Sequence, residues 1–146
     1  MARQACLDDL DAITPLFDAY RVFYGQASDP GKARSFLIDR FVNQQSIVFV
    51  SEISEKAVGF TQLYPSYSSV HCARILVLND LFVSPDARGR GVAQDLLKTA
   101  TKYAERIGAI RLTLITANGN AVAQSLYEKC GWNRDTAFRT YHLAVG

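Results

Sequence analysis

Residues 88–91 read Arg-Gly-Arg-Gly and stand between an apolar stretch that ends at Val83 and an amphipathic stretch that begins near Val92. Glycine lets a backbone approach a ligand closely, and the first N–H groups of a helix have no partner within the helix. Those N–H groups, the helix dipole and the two guanidinium groups all favour negative charge. The pattern therefore predicts an anion site, of the kind that holds phosphate, at the start of this helix.

The loop matches neither of two common phosphate-binding patterns. A Walker A loop needs GxxxxGK[ST], which the sequence does not contain. A dinucleotide fingerprint, GxGxxG, finds its first two glycines at Gly89 and Gly91 but has Gln94 in place of the third. The preceding strand also belongs to a run of antiparallel hairpins and not to a first βαβ unit. Both nucleotide-binding classes are therefore disfavoured.

The bulk composition predicts one globular domain, residues 1–146, with 49% hydrophobic and 21% charged residues. A net charge of +2, spread along the chain, argues against nucleic acid as a partner. No apolar run approaches the roughly 20 residues of a membrane span. Cys6, Cys72 and Cys130 form no CxxC pair, which predicts a reducing, cytoplasmic location and no metal site. We expect all three to be small buried hydrophobes.

Hydrophobic periodicity predicts an α/β chain with the element order β α α β β β α β α β. The predicted strands cover residues 2–6, 46–53, 56–64, 71–83, 110–116 and 136–145. Two helices are predicted at about 8–24 and 32–43, a third from the Arg-Gly loop to Gly108, and a fourth from Asn120 to Gly131. Residues 65–69 are expected to form a loop. The middle strands are therefore expected to form an antiparallel meander.

Two motifs on these elements resemble those of the GNAT acetyltransferases. Arg88-x-x-Gly91-x-Ala93 is similar to the acetyl-CoA loop of that family, [Gln/Arg]-x-x-Gly-x-[Gly/Ala], after the fourth strand. The stretch from Asn120 to Trp132, Asn-x-x-Ala-x-x-Leu-Tyr-Glu-Lys-x-Gly-Trp, is similar to the family's second signature, after the fifth strand. The resemblance implies the GNAT fold, a mixed and mostly antiparallel sheet of about six to seven strands flanked by four helices.

The resemblance also implies acetyl-CoA as the co-substrate, with its pyrophosphate on the loop. The implied contacts come from the backbone of Arg88, Gly89, Arg90, Gly91, Val92 and Ala93. The pantetheine arm is implied to pair, like an added strand, with the edge of strand four at Leu81, Phe82 and Val83. Asn120 is implied either to touch this arm or only to cap its helix.

Tyr127 is implied to be the general acid that protonates the departing thiolate after an amine attacks the thioester in a ternary complex. A positioned acid contributes roughly 10²–10⁴-fold to such a step. A free N–H near Leu81 or Phe82 would stabilise the oxyanion. The other interpretation of Tyr127 is an aromatic side chain packed on the core face of its helix.

The base is sought on the fourth strand. Residues 78–83, LNDLFV, look like the matching strand of the diamine/polyamine and thialysine acetyltransferases, which tend to carry a Glu-Asp pair there. Asn79 replaces the glutamate, and an amide accepts no proton to a useful extent. Asp80 remains, either as a base or ammonium-binding group in the cleft or as a hydrogen-bonded core residue. Tyr20 and Tyr24 join Asn79 as candidate substrate-binding residues, although core packing explains the two tyrosines as well.

The predicted function is therefore that of an enzyme, an N-acetyltransferase that acts on a primary amine. A small amine such as a polyamine or an amino acid is favoured over a protein lysine or N-terminus. The rival prediction is a catalytically weak acyl-CoA-binding or sensing module, in which Asn79 marks a lost base. Because family members are often dimers, a homodimer is expected.

Overall fold

Five strands form one sheet in the order β1-β2-β3-β4-β5 in a computed structural model that describes all residues, 1–146. The strands are β1 Ala2–Gln4, β2 Ile47–Ile53, β3 Lys56–Ser68, β4 Ala73–Val83 and β5 Leu112–Thr113. The helices are α1 Leu10–Phe23, α2 Pro30–Val42, α3 Val92–Arg106 and α4 Ala121–Lys129. Strands β1 to β4 are antiparallel neighbours, whereas β5 runs parallel to β4. The α/β class and the four predicted helices are confirmed.

The chain divides into two units, Met1–Ile115 and Thr116–Gly146. The first contains the whole sheet and helices α1, α2 and α3, and the second contains α4. The organisation as a single domain remains a prediction. None of the helices is long and apolar enough to cross a membrane.

Helices α1 and α2 cover one face of the sheet, because each presents an apolar stripe at helical spacing. Ile13 and Phe17 of α1 and Leu37 of α2 are buried in a single cluster with Phe60 of β3 and Phe82 of β4. Helix α3 buries its own stripe, made of Val92, Leu96, Leu97, Ala100 and Ala104. It lies on the opposite face, since its Tyr103 ring contacts Phe49, which alternates along β2 with the buried Val48 and Val50.

The sheet has fewer strands than the six to seven expected. The predicted strand at 110–116 is only Leu112–Thr113, and residues 136–145 form no strand. At the start of that last stretch the Asp135 carboxylate accepts hydrogen bonds from the N–H groups of Ala137 and Phe138. Such a side-chain turn competes with strand pairing, and an alternating pattern alone supplies no neighbouring strand to pair with.

Two other expectations are wrong. The predicted loop at 65–69 is largely strand, because β3 continues through Pro65 to Ser68 opposite β4. The pairing of β2 with β3 ends at Leu63, so Pro65 stands where β3 is an edge strand, the place where a sheet tolerates proline. Cys6 and Cys72 are exposed and Cys130 is half-buried, so the cysteines are not the core residues that were expected.

Candidate active site

The Arg-Gly loop, residues 88–91, and the first turn of α3 contain a run of unpaired backbone N–H groups. The N–H groups of residues 89–93 donate to no acceptor in the protein. Gly89 and Gly91 both have positive φ, 76° and 78°, and Gly91 is the residue that precedes the first turn of α3. Successive N–H groups in such a conformation form a concave anion site at the positive end of the helix dipole.

This anion site fits a diphosphate. A Cβ atom built on Gly89 or on Gly91 would meet no protein atom within 4 Å, so the space in front of both glycines is open to a ligand. Arg90 is exposed beside them. Arg88, in contrast, turns back, and its Nε donates to the Val83 carbonyl oxygen at 3.0 Å, which ties the loop to the end of β4. Backbone amides therefore form most of the site.

Gly59 of β3 lets the start of α3 lie close to the sheet. A Cβ at this position would lie 2.9 Å from Val92 Cγ1 and 3.1 Å from the Phe82 carbonyl oxygen. An irregularity lies beside it, since β3 shifts register against β2 between the pairs Ser51–Gly59 and Glu52–Ala57. The position of the anion site relative to β4 thus depends on a residue with no side chain.

Strands β4 and β5 separate before β4 ends. They pair only at Leu76–Leu112 and Val77–Thr113, whereas β4 continues to Val83. The stretch 79–83 has β3 as its neighbour on one side and no strand on the other. Leu81, Phe82 and Val83 therefore lie on an open strand edge that leads to the anion site, where the binding of the pantetheine arm was predicted.

A β-bulge at Asn79 decides which way Asp80 faces. Leu78 pairs with Leu63, but Asp80 pairs with Gln62, so Asn79 is an extra residue on β4. Strict alternation would have placed Asp80 on the same face as Leu78, whereas the bulge moves it to the face that α1 and α2 cover. The Asn79 carbonyl oxygen accepts a hydrogen bond from the Tyr20 hydroxyl at 3.1 Å, which holds α1 against the bulge.

Asp80 is a buried carboxylate with one strong partner. Only 2% of the residue is exposed, and Gln62 Nε2 donates to its Oδ2 at 2.6 Å. Burial raises the pKa of Asp80 to about 7, against the opposing effect of the Gln62 hydrogen bond, which stabilises the charged form. Asp80 therefore exchanges its proton near neutral pH, which suits a general base.

Gln62 is fully buried and held in turn by the Ser46 hydroxyl, which donates to its Oε1 at 2.8 Å. We expect Gln62→Leu to move the acidic limb of the pH–rate profile upward by roughly one to two pH units, because a hydrogen bond to a charged group is worth about 1.5–3 kcal/mol. The matched control is Thr61→Val, since Thr61 Oγ1 bonds the Asp80 backbone carbonyl and not the carboxylate. An acidic limb that moves equally in both variants would contradict the assignment.

Asp80 opens into a pocket of about 250 Å³ between α1, α2 and the sheet. The polar or charged residues around it are Tyr20, Arg21, Lys32, Tyr64, Asn79 and Asp80. Burial, and then the charge of Asp80, raises the pKa of Tyr64 to about 12, so this hydroxyl stays protonated. Tyr24 does not line the pocket, although its ring lies 5.0 Å from that of Tyr20. Phe17 and Phe36 supply an aromatic wall.

A larger cavity, of about 490 Å³, lies between α1 and the end of β4. Its walls are mostly apolar, with Leu16, Pro15 and Phe82 among them, and it contains no buried titratable group. No cluster of three or more His, Cys, Asp or Glu side chains is placed to hold a metal ion. Of these two cavities, only the smaller is lined by a buried carboxylate, that of Asp80.

The other predicted residues lie in the second unit. Asn120 precedes α4, and its Oδ1 accepts a hydrogen bond from the Ala123 N–H at 3.2 Å, so its capping role is present. Its side-chain NH₂ remains able to donate to a ligand. Tyr127 lies in the last turns of α4, with its ring 6.1 Å from that of Trp132.

Comparisons with known proteins identify the family of the chain. The chain belongs to the acetyltransferase (GNAT) family, whose profile matches residues 12–132. It is 49% identical over 143 residues to YhfO of Bacillus subtilis, an uncharacterized N-acetyltransferase, covering 98% of this chain and 96% of that protein. It is also 31% identical over 85 residues to the thialysine N-epsilon-acetyltransferase of Bos taurus, covering 58% of this chain and 49% of that protein.

Solved structures share the fold closely. The crystal structure of a probable acetyltransferase matches with a TM-score of 0.95 and 38% identity, over 100% of this chain and 98% of the other. The aminoglycoside N-acetyltransferase AAC(6′)-Iy in complex with CoA matches with a TM-score of 0.80 and 19% identity, over 99% of this chain and 95% of the other. The protein is thus an acetyltransferase of the GNAT family, and the predicted family, enzyme class and acetyl-CoA co-substrate are confirmed.

Proposed function

We propose that the protein transfers the acetyl group of acetyl-CoA to a small primary amine by direct attack, with Asp80 as the general base. The observation that carries this proposal is a buried carboxylate of raised pKa at the bulge of β4, beside the open strand edge that leads to the anion site. The pocket volume of about 250 Å³ lies just below the usual range of small-molecule sites, roughly 300–1,000 Å³. That size supports a small acceptor over a folded protein.

Proton transfer from an ammonium group to Asp80 costs less free energy than transfer to a carboxylate of ordinary pKa. An alkylammonium has a pKa of about 10.4, so transfer to a carboxylate of pKa near 3.9 is uphill by more than about 8 kcal/mol. A pKa of about 7 on Asp80 reduces this difference to roughly 4–5 kcal/mol. The neutral amine then forms a nitrogen–carbon bond as the carbon–sulfur bond of the thioester breaks. One ammonium proton goes to Asp80. The nitrogen loses a second proton as the amide forms, and this proton balances the one that the departing sulfur takes up to leave as a thiol.

Acetyl-CoA would be bound mainly by backbone groups. Acetyl-CoA supplies the activated acyl group, and the N–H groups of residues 89–93 would hold its diphosphate. The open edge at Leu81, Phe82 and Val83 would align the arm that carries the thioester, by backbone hydrogen bonds. Asn120 would donate its side-chain NH₂ to the same arm. We further propose a cytoplasmic enzyme, which its three free cysteines support, and a homodimer.

Tyr127 is proposed as the acid that gives its proton to the departing sulfur. We expect Tyr127→Phe to lower kcat by roughly 10–100-fold, at the lower end of general acid–base effects, because a thiol is a better leaving group than an amine. The dissociation constant of acetyl-CoA should change less than about twofold. Single-turnover kinetics and calorimetry separate the two quantities, and an unchanged kcat would remove Tyr127 from the chemistry.

The assay that tests the proposed function follows thiol release from acetyl-CoA with a panel of polyamines, amino acids, aminoglycosides and short peptides. Mass spectrometry of each mixture identifies the acetylated product. The proposal predicts stoichiometric acetylation of at least one small amine. Acetylation of the peptides alone would contradict it.

A further inference from the structure

Arg21, on the wall of the Asp80 pocket, has an unsatisfied guanidinium group. Its Nη1 atom is buried and has no hydrogen-bond partner, the only such side-chain atom in the chain. Arg21 also forms no ion pair, since the ion pairs of the protein involve Arg3, Arg34 and the N-terminal amine. A buried donor without an acceptor is destabilising, and more so when it is charged. An anionic ligand group that reaches this guanidinium would supply the missing acceptor.

The nearby acidic residue does not supply the missing acceptor. Asp18 lies one turn earlier on α1. Its hydrogen bonds to Ser28 and Asp29, and to a smaller extent the Arg21 charge, lower the pKa of its carboxyl, but both of its oxygens are used elsewhere. Oδ2 accepts from the Ser28 hydroxyl at 2.6 Å, and Oδ1 accepts from the Asp29 N–H at 2.8 Å. These bonds tie the loop before α2 to α1 and leave the Arg21 guanidinium without a direct partner.

The charges around the pocket are predominantly positive. Lys32, at the start of α2, lines the same pocket as Arg21. The only carboxylate on the wall is Asp80, which is partly protonated near neutral pH because it is buried. A polyamine, with several ammonium groups, would meet two cations and little negative charge. A ligand that carries a carboxylate as well as an amine matches the wall better.

We propose that the acceptor is an amino acid, whose carboxylate binds Arg21 with help from Lys32 while its amine faces Asp80. This inference rests on the proposed function and narrows its substrate to one chemical class. Arg21 is then a specificity-determining residue, and its planar guanidinium suits a carboxylate because two of its N–H groups can donate in parallel. Phe17 and Phe36 would contact the remainder of the amino acid.

The test compares amino acids with the amines that lack only their carboxylate. Suitable pairs are lysine with cadaverine and alanine with ethylamine, so both side-chain and α-amines are covered. The wild-type enzyme is expected to favour at least one amino acid over its decarboxylated analogue by roughly tenfold or more in kcat/KM. In Arg21→Met, kcat/KM for that amino acid should fall by roughly 10–100-fold, mainly through an increase in KM, while kcat/KM for the decarboxylated analogue changes little.

Arg34→Met is the matched control, because Arg34 is a half-exposed arginine whose partner is the exposed Asp11, outside the pocket. It should leave both values unchanged. The inference would be overturned if the wild-type enzyme preferred the decarboxylated amines. It would also be overturned if Arg21→Met lowered kcat/KM equally for both members of a pair.

Binding distinguishes this inference from the proposed function. Calorimetry measures the affinity of the enzyme–CoA complex for the same pairs without turnover. Tighter binding of amino acids that disappears in Arg21→Met supports the carboxylate site even if no acceptor is acetylated, an outcome that would reject the proposed function alone. Acetylation of amines with equal affinity for both members of each pair would reject the carboxylate site alone.

Discussion

Asp80→Asn is expected to lower kcat/KM for the amine acceptor by roughly 10²–10⁴-fold, the usual contribution of a general base. The change keeps the size of the side chain and an oxygen that can accept the hydrogen bond from Gln62 Nε2. Because asparagine cannot take up the ammonium proton, only the chemical step should suffer. The dissociation constant of acetyl-CoA should change less than about twofold, as calorimetry will show.

The pH dependence follows from the direction of the Asp80 shift. A base works in its deprotonated form, so the wild-type rate should rise with pH through about 7, the pKa of Asp80. The residual activity of Asp80→Asn should lack this acidic limb. If the limb survives unchanged in the variant, another group is the base.

The stability of the wild-type protein should fall as the pH rises toward 7, whereas its activity should rise. The pKa of Asp80 is raised from 3.8 to about 7 in the folded protein, so ionisation of the buried carboxyl destabilises the fold increasingly between those pH values. At about 1.36 kcal/mol per pH unit, the full effect above pH 7 is at most ~4 kcal/mol. The Tm of Asp80→Asn minus that of the wild type should therefore become more positive from pH 5 to pH 8.

Asp39→Asn is the matched control for Asp80, since Asp39 is an exposed carboxylate on α2 that does not line the pocket. It should leave both the acidic limb and the pH dependence of Tm as in the wild type. A Tm difference for Asp80→Asn that is independent of pH would show that the carboxyl is not titrating near neutrality.

Gly91→Gln is expected to weaken acetyl-CoA binding by about 10²–10⁴-fold, the effect of losing about two hydrogen bonds to a charged phosphate. A Cβ atom at this position would meet no protein atom within 4 Å, and the rest of the glutamine would occupy space beside the unpaired amides of residues 89–93. The fold can therefore accept the glutamine while the ligand cannot. Thermal shift with acetyl-CoA should disappear in this variant.

A second glycine variant controls for the backbone strain that Gly91→Gln introduces. Gly91 has a φ of 78°, and a non-glycine residue in this conformation costs roughly 1–2 kcal/mol. Gly108, at the other end of α3, has a φ of 75° and is equally open. Gly108→Gln should therefore lower Tm about as much as Gly91→Gln but keep the acetyl-CoA shift. Loss of the shift in both variants would indicate general destabilisation and would contradict the anion site.

The unpaired N–H groups of the proposed anion site could be predicted from the sequence because the loop that holds them is local. A strand, a Gly-rich loop and a helix start follow one another within 30 residues, so residue types alone determine which backbone groups stay unpaired. The same holds for the cap at Asn120 and for Gly131, whose positive φ follows the end of α4. The strand predicted at 136–145 failed because its pairing depends on a distant partner, which an alternating pattern does not specify.

The pocket was only partly predictable for the same reason. Asp80 was recognised as an unusual carboxylate, but its orientation depends on the bulge at Asn79, which appears only when β3 and β4 are aligned. Gln62, Tyr64 and Arg21 were missed, since they lie on other elements and come close to Asp80 or to its pocket only in the folded chain. One local signal was available: Gln62 is a long amide inside the buried stretch 58–63, and a buried amide needs polar partners.

The most direct measurement of the proposed activity follows thiol release and N-acetylated product together, in one reaction containing acetyl-CoA and the amine panel. The wild-type protein should form the two in equal amounts with at least one small amine, and Gly91→Gln and Asp80→Asn should each form much less of both. Binding of acetyl-CoA by the wild-type protein without any acetylated amine would contradict the proposed activity, and would indicate an acyl-CoA-binding module in which Asn79 marks a lost catalytic base.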